Sequence, residues 1–173
     1  IDLGIGIGWC KEEVEACGYA FEDRGERCDE ILDLMKRLWT EERVTHDGKH
    51  FQLQSCRMDP KPVQKPHIPI IAGRLWPPTM RRTAARGSGW FGFALNPKLT
   101  ERWMGELAQA MDAAGRPRDD YEVIITPNTL NDDLVREFKD LGVDRLIPFL
   151  GPGDEGAVSE RLAELERFAA LAA

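Results

Sequence analysis

Much that would announce a function is scarce in this chain, and each scarcity removes a class. Basic residues are outnumbered, with 23 Lys and Arg against 30 Asp and Glu. A protein that grips nucleic-acid phosphates wants a basic face, so that class is disfavoured. No apolar run reaches the roughly 20 residues of a membrane span, and no signal peptide is visible. A cytoplasmic protein with no membrane partner is the expectation. Cys10, Cys17, Cys28 and Cys56 form no Cys-x-x-Cys pair and no regular framework, so reduced thiols are expected. Histidine is rare. His46 and His50 flank Asp47-Gly48, and a two-residue turn there would leave them on opposite faces of a hairpin, so no metal site is expected with His67. No Ser-His-Asp, Cys-His or paired-carboxylate arrangement stands out. Cys10 follows a strand, but no His is placed by sequence to activate it.

What remains is a regular alternation of elements. Asp2–Ile7 reads as a strand already under way at residue 1, with Gly4, Gly6 and Gly8 alternating with Ile and ending at Trp9. Ile31, Leu32, Met35, Leu38 and Trp39 recur at helical spacing within 22–39. "RVTHDGKHFQL" (43–53) reads as a β-hairpin with a tight Asp-Gly turn. A Pro-rich connector leads to a strand over 68–72, since Pro cannot donate to a ladder. Pro77 and Pro78 start a helix that runs to Arg86. Strands are expected at 88–95, 121–126 and 143–150. Asn96 and Asn131 cap the helices between them, and a last helix carries Val158, Leu162, Leu165 and Ala169.

Strict β/α alternation implies a parallel sheet. One domain over 1–173 is expected, with no composition break and no alignable repeat. Two architectures fit. An open doubly wound sheet accounts for the length; a (β/α)8 barrel needs about 250 residues, so this would be a piece of one. In both, ligands sit at the C-terminal ends of the strands.

The strand ends therefore carry the candidates. Gly6 and Gly8 leave room for a flat ligand or for a tight corner. The near match to Gly-x-Gly-x-x-Gly lacks its third glycine and its acid, so a dinucleotide fingerprint is a weak signal. "IAGRLWPPT" (71–79) ends a strand at Gly73 and opens a helix, an arrangement suited to phosphate, and Arg74 adds a guanidinium. An ordinary loop with a solvated Arg fits the same residues. Trp9, Trp76, Trp90 and Phe93 fall near strand ends and could wall a planar ring, whereas Trp39 and Trp103 lie on apolar helical stripes. Glu12 and Glu13 follow the first strand, where a solvated helix start is the common case.

Taken together, "LGIGIGW", the Phe-x-x-Arg-x-x-Arg-x-Asp-Glu of residues 21–30, the Asp-Gly hairpin, "PKPVQKPHIPIIAG", "RRTAARGSGWF" and "GVDRL" resemble the luciferase-like monooxygenase superfamily over the whole chain. The similarity is greatest to oxidoreductases that use FMN or the deazaflavin coenzyme F-420. The resemblance implies a (β/α)8 TIM barrel of about twice this length, with the Gly-x-Gly-Trp strand as the fourth. The chain would then be strands four to eight with a β-hairpin insertion, starting mid-strand because three β/α units precede it.

The resemblance implies cofactor contacts at Ile7, Gly8, Trp9 and Glu12, and a phosphate site at Ala72, Gly73 and Arg74. The family's usual residue at Arg74 is glycine, so Arg74 either crowds the phosphate or grips it. Where sugar-phosphate dehydrogenases of the family carry an acid this chain has Trp9, which cannot serve as that base. The proton-donating His of many members has no counterpart here, and Pro148 removes a ladder donor from the eighth strand.

An open arc of five strands exposes two edges and an apolar interior. Self-association is the expected remedy; a complementing N-terminal half and a sheet flattened into a doubly wound form are the others. The implied activity is that of a flavin- or deazaflavin-dependent oxidoreductase or monooxygenase acting on a small molecule. The alternative is a non-catalytic flavin-phosphate binder or a structural half-barrel that self-assembles.

Overall fold

The structure is a computed structural model that describes residues 1–148 and 155–172, apart from the side chains of 155–158 and 172. The chain divides into two compact units, Ile1–Ile70 and Ile71–Ala173.

The first unit holds β1 (Leu3–Ile5), α1 (Lys11–Ala16), α2 (Arg24–Thr40), β2 (Val44–Asp47) and β3 (Gln52–Cys56). Cys28, Leu32, Met35 and Trp39 follow one another at steps of four, three and four, so α2 turns one stripe inward. That stripe packs with Leu3, Ile5, Met58, Ile68 and Ile70. Leu32 and Ile70 are fully buried, each removing roughly 1.5–3 kcal/mol of apolar exposure. The Leu3 N–H donates to the Pro69 carbonyl at 2.8 Å, which ties the first strand to the end of the unit. The strand is shorter than its sequence suggests, and α1 places Glu12 and Glu13 in its first turn, the helix start expected there.

The hairpin differs from expectation in its loop. The β2–β3 register pairs Asp47 with Gln52, so four residues, Gly48 to Phe51, connect the strands rather than two. The Gly48 N–H closes the loop on the Phe51 carbonyl at 3.0 Å. The cause lies on α2. The Glu30 carboxylate accepts the N–H groups of His50 and Phe51, both at 2.9 Å, and pulls the loop open.

The second unit is a β/α layer structure. β4 (Ile70–Gly73), α3 (Pro77–Arg86), β5 (Gly89–Leu95), α4 (Pro97–Ala113), β6 (Glu122–Pro127), α5 (Asp132–Asp140), β7 (Arg145–Leu146) and α6 (Glu155–Ala172) follow in order. β4, β5, β6 and β7 pair successively, and every pairing is parallel. The register aligns Ala72, Trp90 and Val123 across the sheet. Trp90, Leu95, Val123 and Ile125 pack with Met80 and Ala84 of α3, Leu107 and Met111 of α4, and Phe138 of α5. The strands are apolar because helices cover this layer.

Both predicted caps are present: the Asn96 side chain accepts from the Leu99 N–H and Asn131 from the Leu134 N–H, each at 2.9 Å. Of the strand expected over 143–150, Arg145 and Leu146 pair. Pro148 follows two residues later and has no N–H to lengthen the ladder. Residues 149 and 150, and the strand-end loop through Gly153, lie outside the described residues. Among the described residues no helix is long and apolar enough to cross a membrane.

Candidate functional site

In the first unit the chain leaves β1 through Gly6, Ile7 and Gly8 before α1 begins. Gly8 sits at φ +77, which a side chain disfavours, and an added Cβ would press on Val14 Cγ2 at 3.3 Å. A Cβ at Gly4 or Gly6 would meet nothing within 4 Å, so crowding does not require glycine there. Ile7 is half-buried, and Trp9 is 78% exposed. A large indole held in water beside an open glycine backbone is a surface suited to a planar ligand. Glu12 is exposed in the first turn of α1. Its own backbone N–H, and then the Cys10 thiol donating at 3.2 Å, hold its carboxyl below the usual range. Glu12 is thus an anion and not a proton donor at neutral pH. These four candidates, Ile7, Gly8, Trp9 and Glu12, are brought together by one short turn.

Beside them runs an apolar groove of about 670 Å³, lined by Ile5, Gly6, Ile7, Val14, Ile31 and Met35 among others. Arg24 and Arg27 stand on its wall.

In the second unit, Ala72, Gly73 and Arg74 close β4. Ala72 is buried in the sheet layer. Gly73 is half-buried, and Arg74 is exposed at φ 107, a strained conformation for a residue with a Cβ. The Arg74 guanidinium lies 5.1 Å from the ring centre of Trp76, which is half-exposed. A second strained residue, Ala94 at φ 57, lies where the β5–β6 register slips between Phe93 and Leu95. Phe93 is more than half-exposed there. Of the three non-glycine residues at positive φ among the described residues, Ser55 lies in β3 of the hairpin, while Arg74 and Ala94 lie at the C-terminal ends of β4 and β5, where this fold places ligands.

One aromatic candidate is corrected. Trp90 is fully buried in the helix-covered layer, and its indole N–H donates to the Arg74 carbonyl at 3.1 Å. It supports the Arg74 loop from below and cannot face a ring. Strand alternation decides this: Trp90 shares its face with Val123, whereas Phe91 and Phe93 share the other.

The histidines also fall differently from the sequence expectation. With four residues in the loop, His46 and His50 both turn to α2. His46 Nε2 lies 2.9 Å from Glu30 Oε1, and the His50 ring lies 3.7 Å from Asp23 and from Glu26. Burial opposes the charge on Glu30, but His46 and the two loop N–H groups outweigh it, and its carboxyl is lowered from 4.5 to about 2. Among the described residues no group of three or more His, Cys, Asp or Glu is placed to hold a metal ion.

Sequence reasoning gave the Phe21–Glu30 motif no role. In the structure Arg24 stacks on Phe21 and bonds the Gly8 carbonyl, Arg27 pairs with Asp23, and Glu30 holds the hairpin. Its spacing was the available signal; its partners lie at sequence distances that spacing does not reveal.

The profile of the family described as luciferase-like monooxygenase matches residues 1–170. The chain belongs to that family. Within it, an uncharacterised protein of Mycobacterium tuberculosis is 27% identical over 174 residues, covering 98% of this chain and 59% of its own length. An F420-dependent glucose-6-phosphate dehydrogenase of Intrasporangium calvum is 33% identical over 135 residues, covering 72% of this luciferase-like chain and 39% of its own length. The chain therefore spans well under two thirds of these relatives.

Among solved structures, an F420-dependent secondary alcohol dehydrogenase bound to an F420–acetone adduct superposes with a TM-score of 0.70 at 13% identity. It covers 85% of this chain and 63% of its own. A riboflavin lyase with modified FMN and riboflavin gives a TM-score of 0.54 at 12% identity, over 69% of this chain and 32% of its own. These likenesses establish the α/β fold with its parallel sheet. Relatives of this luciferase-like chain use coenzyme F420 or FMN.

Proposed function

We propose that this luciferase-like chain is the cofactor-binding part of a flavin- or deazaflavin-dependent oxidoreductase acting on a small molecule. The observation that carries this is the end of β1: a positive-φ Gly8, open backbone at Gly6, and an exposed Trp9 in one turn. The residues present fit a flat ring there and an anion elsewhere. Ile7 and Gly8 offer backbone and an unshielded face to the ring, Trp9 offers an aromatic edge, and Glu12 offers a fixed negative charge. Gly73 and Arg74 offer a close backbone approach and a guanidinium to a cofactor phosphate. When bound, FMN or F420 supplies the hydride-transfer chemistry. The chain's own contribution is to orient the ring and exclude water from one face.

The same reading treats residues 1–173 as one domain corresponding to strands four to eight of a (β/α)8 barrel. A second copy or a complementing N-terminal half would supply the remaining strands. A non-catalytic cofactor binder is the second reading. It is favoured by one observation: none of His46, His50 and His67 lies at the C-terminal end of β1, β4, β5 or β6, the first two facing acids of α2 and the third its neighbour's carbonyl.

The test is to titrate the purified chain with FMN and with F420, recording the visible spectrum, and then to supply reduced cofactor and measure oxidation. Binding with turnover supports the oxidoreductase. Binding without turnover supports the binder, and no binding of either cofactor overturns both. Light scattering tests the assembly, with twice the chain's 19.6 kDa expected.

A further inference from the structure

The residue that fixes the cofactor-facing turn lies not on the turn but on α2. We infer that Arg24 is a positioning residue: its guanidinium holds the Gly8–Trp9 peptide in the orientation that presents the Trp9 N–H outward. This rests on the ring-binding role proposed above for that turn.

Arg24 Nε donates to the Gly8 carbonyl at 3.3 Å, and Nη1 donates to the Phe21 carbonyl at 2.8 Å. The guanidinium carbon lies 3.6 Å from the centre of the Phe21 ring, so stacking fixes the fork's plane as well as its reach. Arg27 braces the same segment, pairing with Asp23 and donating to the Ala20 carbonyl at 3.2 Å. A hydrogen bond from a charged donor is stronger than a neutral one and is aimed by the plane of the fork.

The consequence follows from peptide geometry. A trans peptide is planar, and its C=O and N–H point in opposite directions. With the Gly8 carbonyl committed to Arg24, the Trp9 N–H faces away from α2. It has no hydrogen-bond partner among the described residues. Gly8 itself takes φ +77, the conformation that turns the chain here. The turn thus carries one preset donor beside an exposed indole, a pair suited to an acceptor atom on the edge of a stacked ring. Without Arg24 the peptide plane is free to rotate about Gly8, and the donor loses its direction.

The experiment uses the full chain and three variants, Arg24→Gln, Arg24→Lys and Phe21→Leu. The first readout needs no cofactor: the position of the Trp9 backbone amide in a ¹⁵N–¹H spectrum and its hydrogen-exchange rate. The second is the dissociation constant for FMN and for F420. Arg24→Gln is expected to move the Trp9 amide, raise its exchange rate, and weaken cofactor binding about tenfold, as loss of one charged hydrogen bond does. Arg24→Lys is expected to restore part of the affinity. Phe21→Leu, which removes the stack but leaves the carbonyl contact, is expected to lower the melting temperature and to move the Trp9 amide in the same direction but by less than Arg24→Gln does. A Trp9 amide unmoved in folded Arg24→Gln overturns the inference. So does an amide that moves as much in Phe21→Leu as in Arg24→Gln, since that is the behaviour of a purely structural residue. If the wild-type chain binds neither cofactor, the proposed function fails and the amide readout still decides the role of Arg24.

Discussion

Glu30 is a carboxylate whose ionised form the fold needs, because only the anion accepts from His46 and both loop N–H groups at once. Its carboxyl is held down at about 2 against an ordinary 4.5. A depressed carboxylate contributes stability that is fully present above its unfolded value and is lost as pH falls toward the folded one. Melting temperature should therefore fall between pH 4.5 and about 2, and Glu30→Gln should flatten that part of the curve. A parallel acid limb in the variant would show that Glu30 is not the group responsible. Arg74 gives the opposite kind of residue effect. At φ 107 it carries strain that glycine does not, so Arg74→Gly should stabilise the chain by about 1 kcal/mol, a rise of roughly 2–4 °C. If phosphate binding weakens at the same time, Arg74 grips the phosphate; if it strengthens, Arg74 crowds it.

At the scale of elements, helix ends distinguish what the sequence reveals from what it does not. Asn96 and Asn131 announce themselves, since a side-chain acceptor just before a helical stretch bonds a donor three residues on. Either Asn→Ala change should cost about 1 kcal/mol in urea unfolding. The end of α3 has no such local signal. Arg116 docks there instead: its Nη1 lies 3.1 Å from Thr83 O and 3.0 Å from Ala84 O of α3, and 2.9 Å from Gly87 O just past its end. Arg116→Ala should cost more than either cap, about 2–3 kcal/mol, because three carbonyls lose a charged partner. The parallel strands and main helices were legible because their apolar residues recur at fixed spacing. The four-residue hairpin loop was not, since Asp-Gly carries a two-residue preference that Glu30, on another element, overrides. Gly8 was legible as a special position, and Trp90 was misplaced because closeness to a strand end does not say which face a side chain takes.

At the scale of the molecule, the family was legible from spaced motifs, and the profile match over residues 1–170 agrees with it. What spacing could not supply was the set of contacts that join those motifs, such as Arg24 to Gly8. Cofactor binding has a whole-molecule signature. A ligand that binds the folded chain alone stabilises it by about 2.7 kcal/mol at a hundred times its dissociation constant. FMN or F420 at that excess should raise the melting temperature by several degrees, read by scanning calorimetry, and riboflavin, lacking phosphate, should raise it less. An equal rise with riboflavin would count against a phosphate contact at Gly73 and Arg74.

The Arg116 clasp also bears on the order of assembly. Its three carbonyls lie 29 to 33 positions earlier in the chain, with the whole of α4 between. The last turn of α3 therefore waits for a distant stretch to be made and docked, and such contacts close after local ones. If the clasp forms beyond the folding barrier, Arg116→Ala speeds unfolding while refolding keeps its rate. A stopped-flow chevron reads the two arms separately, and a slowed refolding arm would move the clasp into the nucleus.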